Sequence, residues 1–219
     1  MAKVVSVHLS NELEKSRLSM PKRKAILDAA TEVFLKSGYL GTNMDEIALL
    51  SAVSKQTVYK HFSSKEALFI EIVTCMTNEG SEAVLSVIPE LEQGANLADY
   101  LCNYANQQLM VVLTPRLMQL RRLVIGEVSR FPELAKVLYK GGPQRAMTAL
   151  AKTFEQLADR GLLKISDSMV AASHFNWLVM SDPLNQVMLL GDEAIPTPTK
   201  LRQYAIEGVR VFLAAYGKH

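Results

Sequence analysis

Cysteine is scarce in this chain: there are two in 219 residues, Cys75 and Cys102. Their spacing fits no metal or redox motif, and a single disulfide does not define a scaffold. Both are read as reduced thiols of a cytoplasmic protein. Long apolar runs are missing too. No stretch approaches the ~20 apolar residues of a membrane helix. The opening segment "MAKVVSVHLSNELEKSRLSM" has too short an apolar run for a signal peptide. No membrane partner is expected. Sustained alternation with period two is absent as well, and "VVSVHL" is the only hint of a strand. There is no internal repeat, no phosphate loop, no nucleophile–base pair at familiar spacing and no metal-ligand set. The expectation is a protein that is not an enzyme and needs no cofactor or metal. Charge of one sign is also lacking: 24 Lys and Arg face 22 Asp and Glu, for a net charge of +2.

What the chain does have is helical periodicity. Ile26, Ala29, Ala30, Val33 and Phe34 fall at i, i+3, i+4, i+7 and i+8, one face of a helix, and Gly38 is a plausible stop. Leu68, Phe69, Ile72, Val73 and Met76 line one side of a longer helix that opens at "KEALFIEIV". Further helices are expected at about 95–113, 116–130, 143–160, 167–181 and 199–216. Breaks are marked by Gly94, Pro115, Pro132, Gly161, Pro183, Pro196 and Pro198, and Pro143 suits a first helical position. The fold expected is all-α.

The small positive excess is not spread evenly. Residues 1–66 hold ten Lys and Arg against seven acids, and the remainder holds fourteen against fifteen. In this first part, Thr42 and Asn43 each precede an acid by three residues, a capping-box arrangement that starts a helix near Met44. Ile47, Ala48 and Leu50 supply its buried side, and "SAVS" breaks it. Ser54 caps the next helix, "KQTVYKH", which has only Val58, with Phe62 behind it, to bury. Ser63 or Ser64 then caps another, with Glu66 in its first turn. Two short helices joined by a tight turn, the second rich in donors, form a helix-turn-helix.

A helix that buries one thin stripe and offers donors elsewhere suits DNA. Lys55 and Gln56 lie at its tip, where lysine donates to guanine acceptors and glutamine binds adenine on two atoms. Thr57, Tyr59 and His61 offer donors to phosphate oxygens. Lys65 adds charge at a helix N-terminus, and the basic "PKRK" at 21–24 leads into the first helix. The full set of candidate DNA contacts is Thr42, Asn43, Lys55, Gln56, Thr57, Tyr59, Lys60, His61 and Lys65.

The stretch "AILDAATEVFLKSGYLGTNMDEIALLSAVSKQTVYKHFSSKEALF" resembles the N-terminal domain of TetR-type (tetracycline-repressor family) transcriptional regulators, with its spacing intact. The later stretch "RRLVIGEVSRFPELAKVLYKGGPQR" is more loosely similar to the AefR-like C-terminal domain of that family. The resemblance implies a three-helix DNA-binding head, a homodimer on double-stranded operator DNA, and a C-terminal helical bundle that binds a small molecule and releases DNA. The chain then divides into an extension (1–20), a head (21–66) and a ligand-binding and dimerisation domain (67–219). One departure stands out. The family usually has glycine in the turn where this chain has Ala52, and a left-handed alanine costs roughly 1–2 kcal/mol.

For the rest of the chain the expectation is a ligand-released repressor. The alternatives are a helical regulator without an inducer, or a helical small-molecule-binding protein or enzyme. The inducer expected is hydrophobic or aromatic, held by Leu117, Leu120, Val124, Phe154, His174 and Trp177. Arg116 is read as pairing with an acid such as Glu127, facing solvent or binding an acidic inducer. The last helix carries an apolar stripe, including Leu201, Tyr204, Ala205, Gly208, Val209 and Phe212, which is expected to form a two-fold four-helix interface with the helix near 167–181.

Overall fold

Most of the described residues lie in helices, so their backbone N–H and C=O groups largely satisfy one another. The computed structural model describes residues 2–86 and 94–218, with side chains from Met20 onward. The described residues form ten α-helices: α1 (Ala2–Gly41), α2 (Met44–Leu50), α3 (Lys55–His61), α4 (Lys65–Leu85), α5 (Leu97–Val112), α6 (Pro115–Gly126), α7 (Pro132–Tyr139), α8 (Arg145–Asp159), α9 (Ser168–Leu190) and α10 (Pro198–Tyr216). Among them there is no strand beyond an isolated bridge between Leu163 and Gly217. The fold is all-α, with an N-terminal helix-turn-helix and a C-terminal helical unit. It divides into two units, Met1–Val73 and Thr74–His219, and the division falls inside α4.

In the first unit, α1 is kinked at Gly38, whose φ of 70° only glycine adopts without strain. Ahead of the kink, Ile26, Ala30, Val33 and Phe34 are buried as the periodicity predicts. Ile47 from α2, Val58 from α3, and Leu68, Phe69 and Ile72 from α4 are buried in the same unit. Phe34 and Phe69 lie 5.1 Å apart, centroid to centroid. The "VVSVHL" segment lies in the helical backbone of α1, which also runs through Pro21.

In the second unit, α10 packs against α5 and α9, and α8 against α9. The centre is aromatic. Phe154 stands edge-on to Phe175 (5.5 Å) and stacks on Phe212 (5.0 Å). Tyr104 lies 5.8 Å from Phe175. Three sequence expectations are corrected here. A separate helix, α7, occupies Pro132–Tyr139, with proline at its start. Pro143 does not open α8 but sits in a π-helical turn, Lys140–Gln144, that leads into it. Pro183 does not end α9, which continues to Leu190 with Pro183 buried inside it.

Candidate nucleic-acid interface and effector cavity

The head is built around the turn between α2 and α3. Asn43 caps α2, its side chain accepting from the Asp45 amide at 2.9 Å. At the far end the Ala52 N–H bonds the Leu49 carbonyl and the Val53 N–H bonds the Ala48 carbonyl, both at 3.1 Å. This pair of bonds is a Schellman motif, which demands a left-handed residue at the first position past the helix cap. Ala52 occupies it with φ 53°, the only non-glycine of positive φ among the described residues. The left-handed turn considered from the sequence is therefore present. Ser51 Oγ donates to the Ile47 carbonyl at 2.6 Å. Ser54 then caps α3, accepting from the Thr57 amide at 3.2 Å, and its hydroxyl lies 2.9 Å from that of Thr57.

The turn fixes which face of α3 is free. Val58 is wholly buried and Phe62 nearly so, while Lys55, Gln56, Tyr59 and Lys60 are exposed and Thr57 and His61 are partly so. Lys55 is paired with Asp45 at 2.7 Å, and this hydrogen bond raises its pKa. Gln56 projects beside it into solvent. Two residues of the sequence set are placed differently. Thr42 is buried, its hydroxyl donating to the Gly38 carbonyl at 2.7 Å. The Lys65 ammonium donates to the Thr42 carbonyl at 2.6 Å and lies 4.9 Å from the Tyr39 ring centroid. Thr42 closes the end of α1 on itself, and Lys65 stitches the start of α4 to the end of α1 and the loop after it, because carbonyls left open beyond the Gly38 kink need donors. In "PKRK", Arg23 pairs with Glu71 and lies over Phe62 at 5.1 Å, Lys24 pairs with Asp28, and Lys22 is exposed.

The second unit contains a cavity of about 320 Å3. Its walls are mostly apolar and come from α4 (Met76, Gly80, Val84), α6 (Leu117, Leu120), α8 (Met147) and α9 (Trp177, Met180, Leu184). Polar groups enter from Gln108, Arg121, Ser173 and Asn176. Three of the six residues expected here from the sequence line it: Leu117, Leu120 and Trp177. The other three do not. Phe154 is fully buried in the aromatic centre, Val124 packs elsewhere on α6, and exposed His174 pairs its Nδ1 with the Tyr216 hydroxyl at 2.6 Å. Sequence reasoning missed the α4 wall. Gly80, in mid-helix, was the available signal, since a Cβ there would come within 2.8 Å of Leu117. Arg116 pairs with Glu79 at 3.5 Å, not with Glu127, which pairs with Arg130.

The α10 stripe also needs correction as a dimer surface. Leu201, Ala205, Gly208, Val209 and Phe212 are buried within one protomer, against α5 and α9. Tyr204 is partly buried, its hydroxyl donating to Asp182 at 2.6 Å. The close approach inferred from the small residues is real but intramolecular. A Cβ on Gly208 would lie 2.7 Å from Val179 Cγ2 and 3.1 Å from its Cα.

Comparison with known proteins gives this architecture its family. The model described as "Bacterial regulatory proteins, tetR family" matches residues 26–72, and the model "AefR-like transcriptional repressor, C-terminal domain" matches 99–218. The chain belongs to the TetR family of transcriptional regulators. A TetR-family regulator from Mesorhizobium loti MAFF303099 is similar in structure, with TM-score 0.84 and 36% identity over 91% of this chain and 98% of that one. The flavonoid-responsive regulator FrrA is similar at TM-score 0.70 and 30% identity, covering 90% of this chain and 98% of that one. Curated relatives match over part of the chain. The regulator RutR of Escherichia coli K12 is 43% identical over 60 residues, which is 27% of this chain and 28% of RutR. The regulator YhgD of Bacillus subtilis 168 is 45% identical over 62 residues, 28% of this chain and 32% of YhgD. The chain thus spans about a third of the length of these curated relatives. TetR-family members are DNA-binding regulators, and among the described residues no helix is long and apolar enough to cross a membrane.

Proposed function

We propose that this TetR-family regulator is a repressor that binds a palindromic operator as a homodimer and leaves it when a small molecule fills the cavity. The carrying observation is the course of α4. Its first residue, Lys65, is bonded into the head, and farther along Met76, Gly80 and Val84 line the cavity. A ligand that favours one setting of this helix biases the spacing of the two heads. That spacing must be about 34–36 Å for two recognition helices to reach successive major grooves. Gln56 and Lys55 read bases, and Tyr59, Lys60, Thr57 and His61 hold phosphates. Asn43, exposed at the start of α2, adds a backbone contact.

The apolar walls favour a hydrophobic or aromatic effector. The flavonoid-responsive character of FrrA, similar over nearly its whole length, supports an aromatic one. The dimer is assigned to the free face of α9 (Val170, His174, Leu178, Ser181, Asn185 and Leu189) together with Ile206 and Val211 of α10, all exposed in one protomer. Selection of bound sequences from random DNA gives the operator. Gln56→Ala should then weaken that site by about 1–3 kcal/mol and relax preference at one position per half-site. Linkage tests the switch: operator must weaken effector binding by the same factor by which effector weakens operator, and equal effector affinities with and without DNA would reject the mechanism.

A further inference from the structure

The arginines of α6 and the turn after it differ in one respect. Arg116 pairs with Glu79, Arg122 with Asp192, and Arg130 with Glu127. Arg121 has no carboxylate within ion-pair distance among the described residues, yet it is partly buried and lines the cavity. No aspartate or glutamate is among the residues that line this cavity, and Arg121 is its one permanently charged group. The cavity walls are mostly apolar, and burial has removed much of the water from the guanidinium. Desolvation accordingly lowers its pKa, although guanidinium remains charged at neutral pH. An unpaired, desolvated charge is unfavourable in the empty protein. Nothing in the packing of α6 requires it, since methionine or leucine fills such a wall without that penalty.

A second polar group adds to this. Gln108 is 3% exposed and lines the same cavity, donating to Asn176 at 3.3 Å while its Oε1 has no partner. The cavity lining therefore holds one cation with open donors and neutral amides capable of both donating and accepting.

We propose that the effector is an amphipathic organic acid, whose carboxylate pairs with Arg121 and whose aromatic or aliphatic body lies against Leu117, Trp177 and Met180. This rests on the reading of the cavity as the effector site and narrows it from hydrophobic compounds in general to anionic ones. The planar guanidinium fork matches a carboxylate on two atoms, a fit that neither an ester nor an alcohol offers. The volume, at the low end for small-molecule sites, suits a body of one or two rings.

Trp177 is the only tryptophan in the chain and lies in the cavity wall, so its fluorescence reports occupancy. The test titrates full-length protein with 2-naphthoate and with its neutral methyl ester. The acid should bind about tenfold or more tightly, as expected for a charge-assisted pair. In Arg121→Gln that preference should fall to about onefold, with ester affinity retained as the check on folding. Arg121→Lys, which keeps the charge but not the fork, should give an intermediate preference. Arg121→Met should melt no lower than the wild-type protein when empty, whereas an arginine that served packing would lower the melting temperature. If both probes bind wild-type protein equally, the anionic effector is rejected while the cavity stands. If neither binds at millimolar concentration, the cavity reading fails and this inference fails with it.

Discussion

Ala52 holds a conformation that an L-residue adopts at a cost, so replacing it with glycine should stabilise the head. Its φ of 53° is imposed by the two Schellman bonds, from the Ala52 amide to Leu49 and from the Val53 amide to Ala48. A left-handed alanine is disfavoured by roughly 1–2 kcal/mol. Glycine removes that strain but adds freedom to the unfolded chain, which offsets roughly 0.4–1 kcal/mol of the gain. The net should be a stabilisation of about 0.5–1 kcal/mol, local to α2 and α3. Native-state hydrogen exchange is the suitable assay, because a two-unit chain need not melt as one. The amides of Ser51, Val53, Val58 and Phe62 should exchange about two- to fivefold more slowly in Ala52→Gly, at about 1.36 kcal/mol per tenfold. Ala52→Val should move the same amides the other way, since a β-branched side chain fits the left-handed region worst. Because glycine retains the same turn, operator affinity should not change. Unaltered or faster exchange in Ala52→Gly would show that the turn carries no strain.

Three further outcomes are expected. Asp45→Asn releases Lys55 from its 2.7 Å pair and removes a negative charge beside α3, so Lys55 is freer to donate to a guanine and the operator should bind more tightly; unchanged operator affinity in a filter-binding series would show that the Asp45 pair does not restrain Lys55. Gly208→Ala forces a Cβ to 3.1 Å from Val179 Cα and 3.2 Å from the Leu178 carbonyl carbon, backbone atoms that cannot swing aside, so denaturant unfolding of the second unit should lose about 1–3 kcal/mol; equal midpoints would contradict the close approach. Leu178→Glu places a charge on an exposed α9 position and should split the homodimer in sedimentation while leaving each protomer helical, with operator binding lost in parallel; a stable dimer would move the interface elsewhere.

Legibility differed between the two units for a physical reason. The head is made of short helices whose ends are written in side chains: Asn43 and Ser54 as caps, and Val58 as the one apolar anchor of α3, although Gly38, read as a stop, only kinks α1. Local rules decide such features, so the sequence was enough to place them. What it did not show was where long side chains end up. Lys65 looks like a phosphate contact by position, yet two carbonyls and the Tyr39 ring take its ammonium. Arg23 is drawn toward Glu71 and Phe62 in the same way. In each case a tertiary neighbour, from α1 and the loop after it for Lys65 and from α4 and Phe62 for Arg23, claims a charge that local sequence leaves apparently free.

In the second unit the pattern shows which face of a helix is apolar but not what covers it. The α10 stripe is as regular as a dimer seam, and Gly208 gives it the small residue that close helix contact requires. The same features serve a contact with α9 of the same chain, where Gly208 meets Val179. Periodicity cannot separate these cases, because burial by a neighbour in the protomer and burial by a partner impose the same spacing. The cavity shows the converse. Phe154, the expected wall, is needed between Phe175 and Phe212, since large rings fill the centre of the bundle most efficiently. Beside the expected Leu117, the wall falls to Met76 and Gly80 of α4, and to Arg121, which lacks the acid that pairs with Arg122 beside it. That difference exists only in three dimensions: Asp192 reaches Arg122 from seventy residues along the chain, and no carboxylate reaches Arg121 among the described residues. A charge left unpaired in this way works against folding unless a ligand completes it, so the same residue that weakens the empty bundle is the one from which an effector gains most of its selectivity.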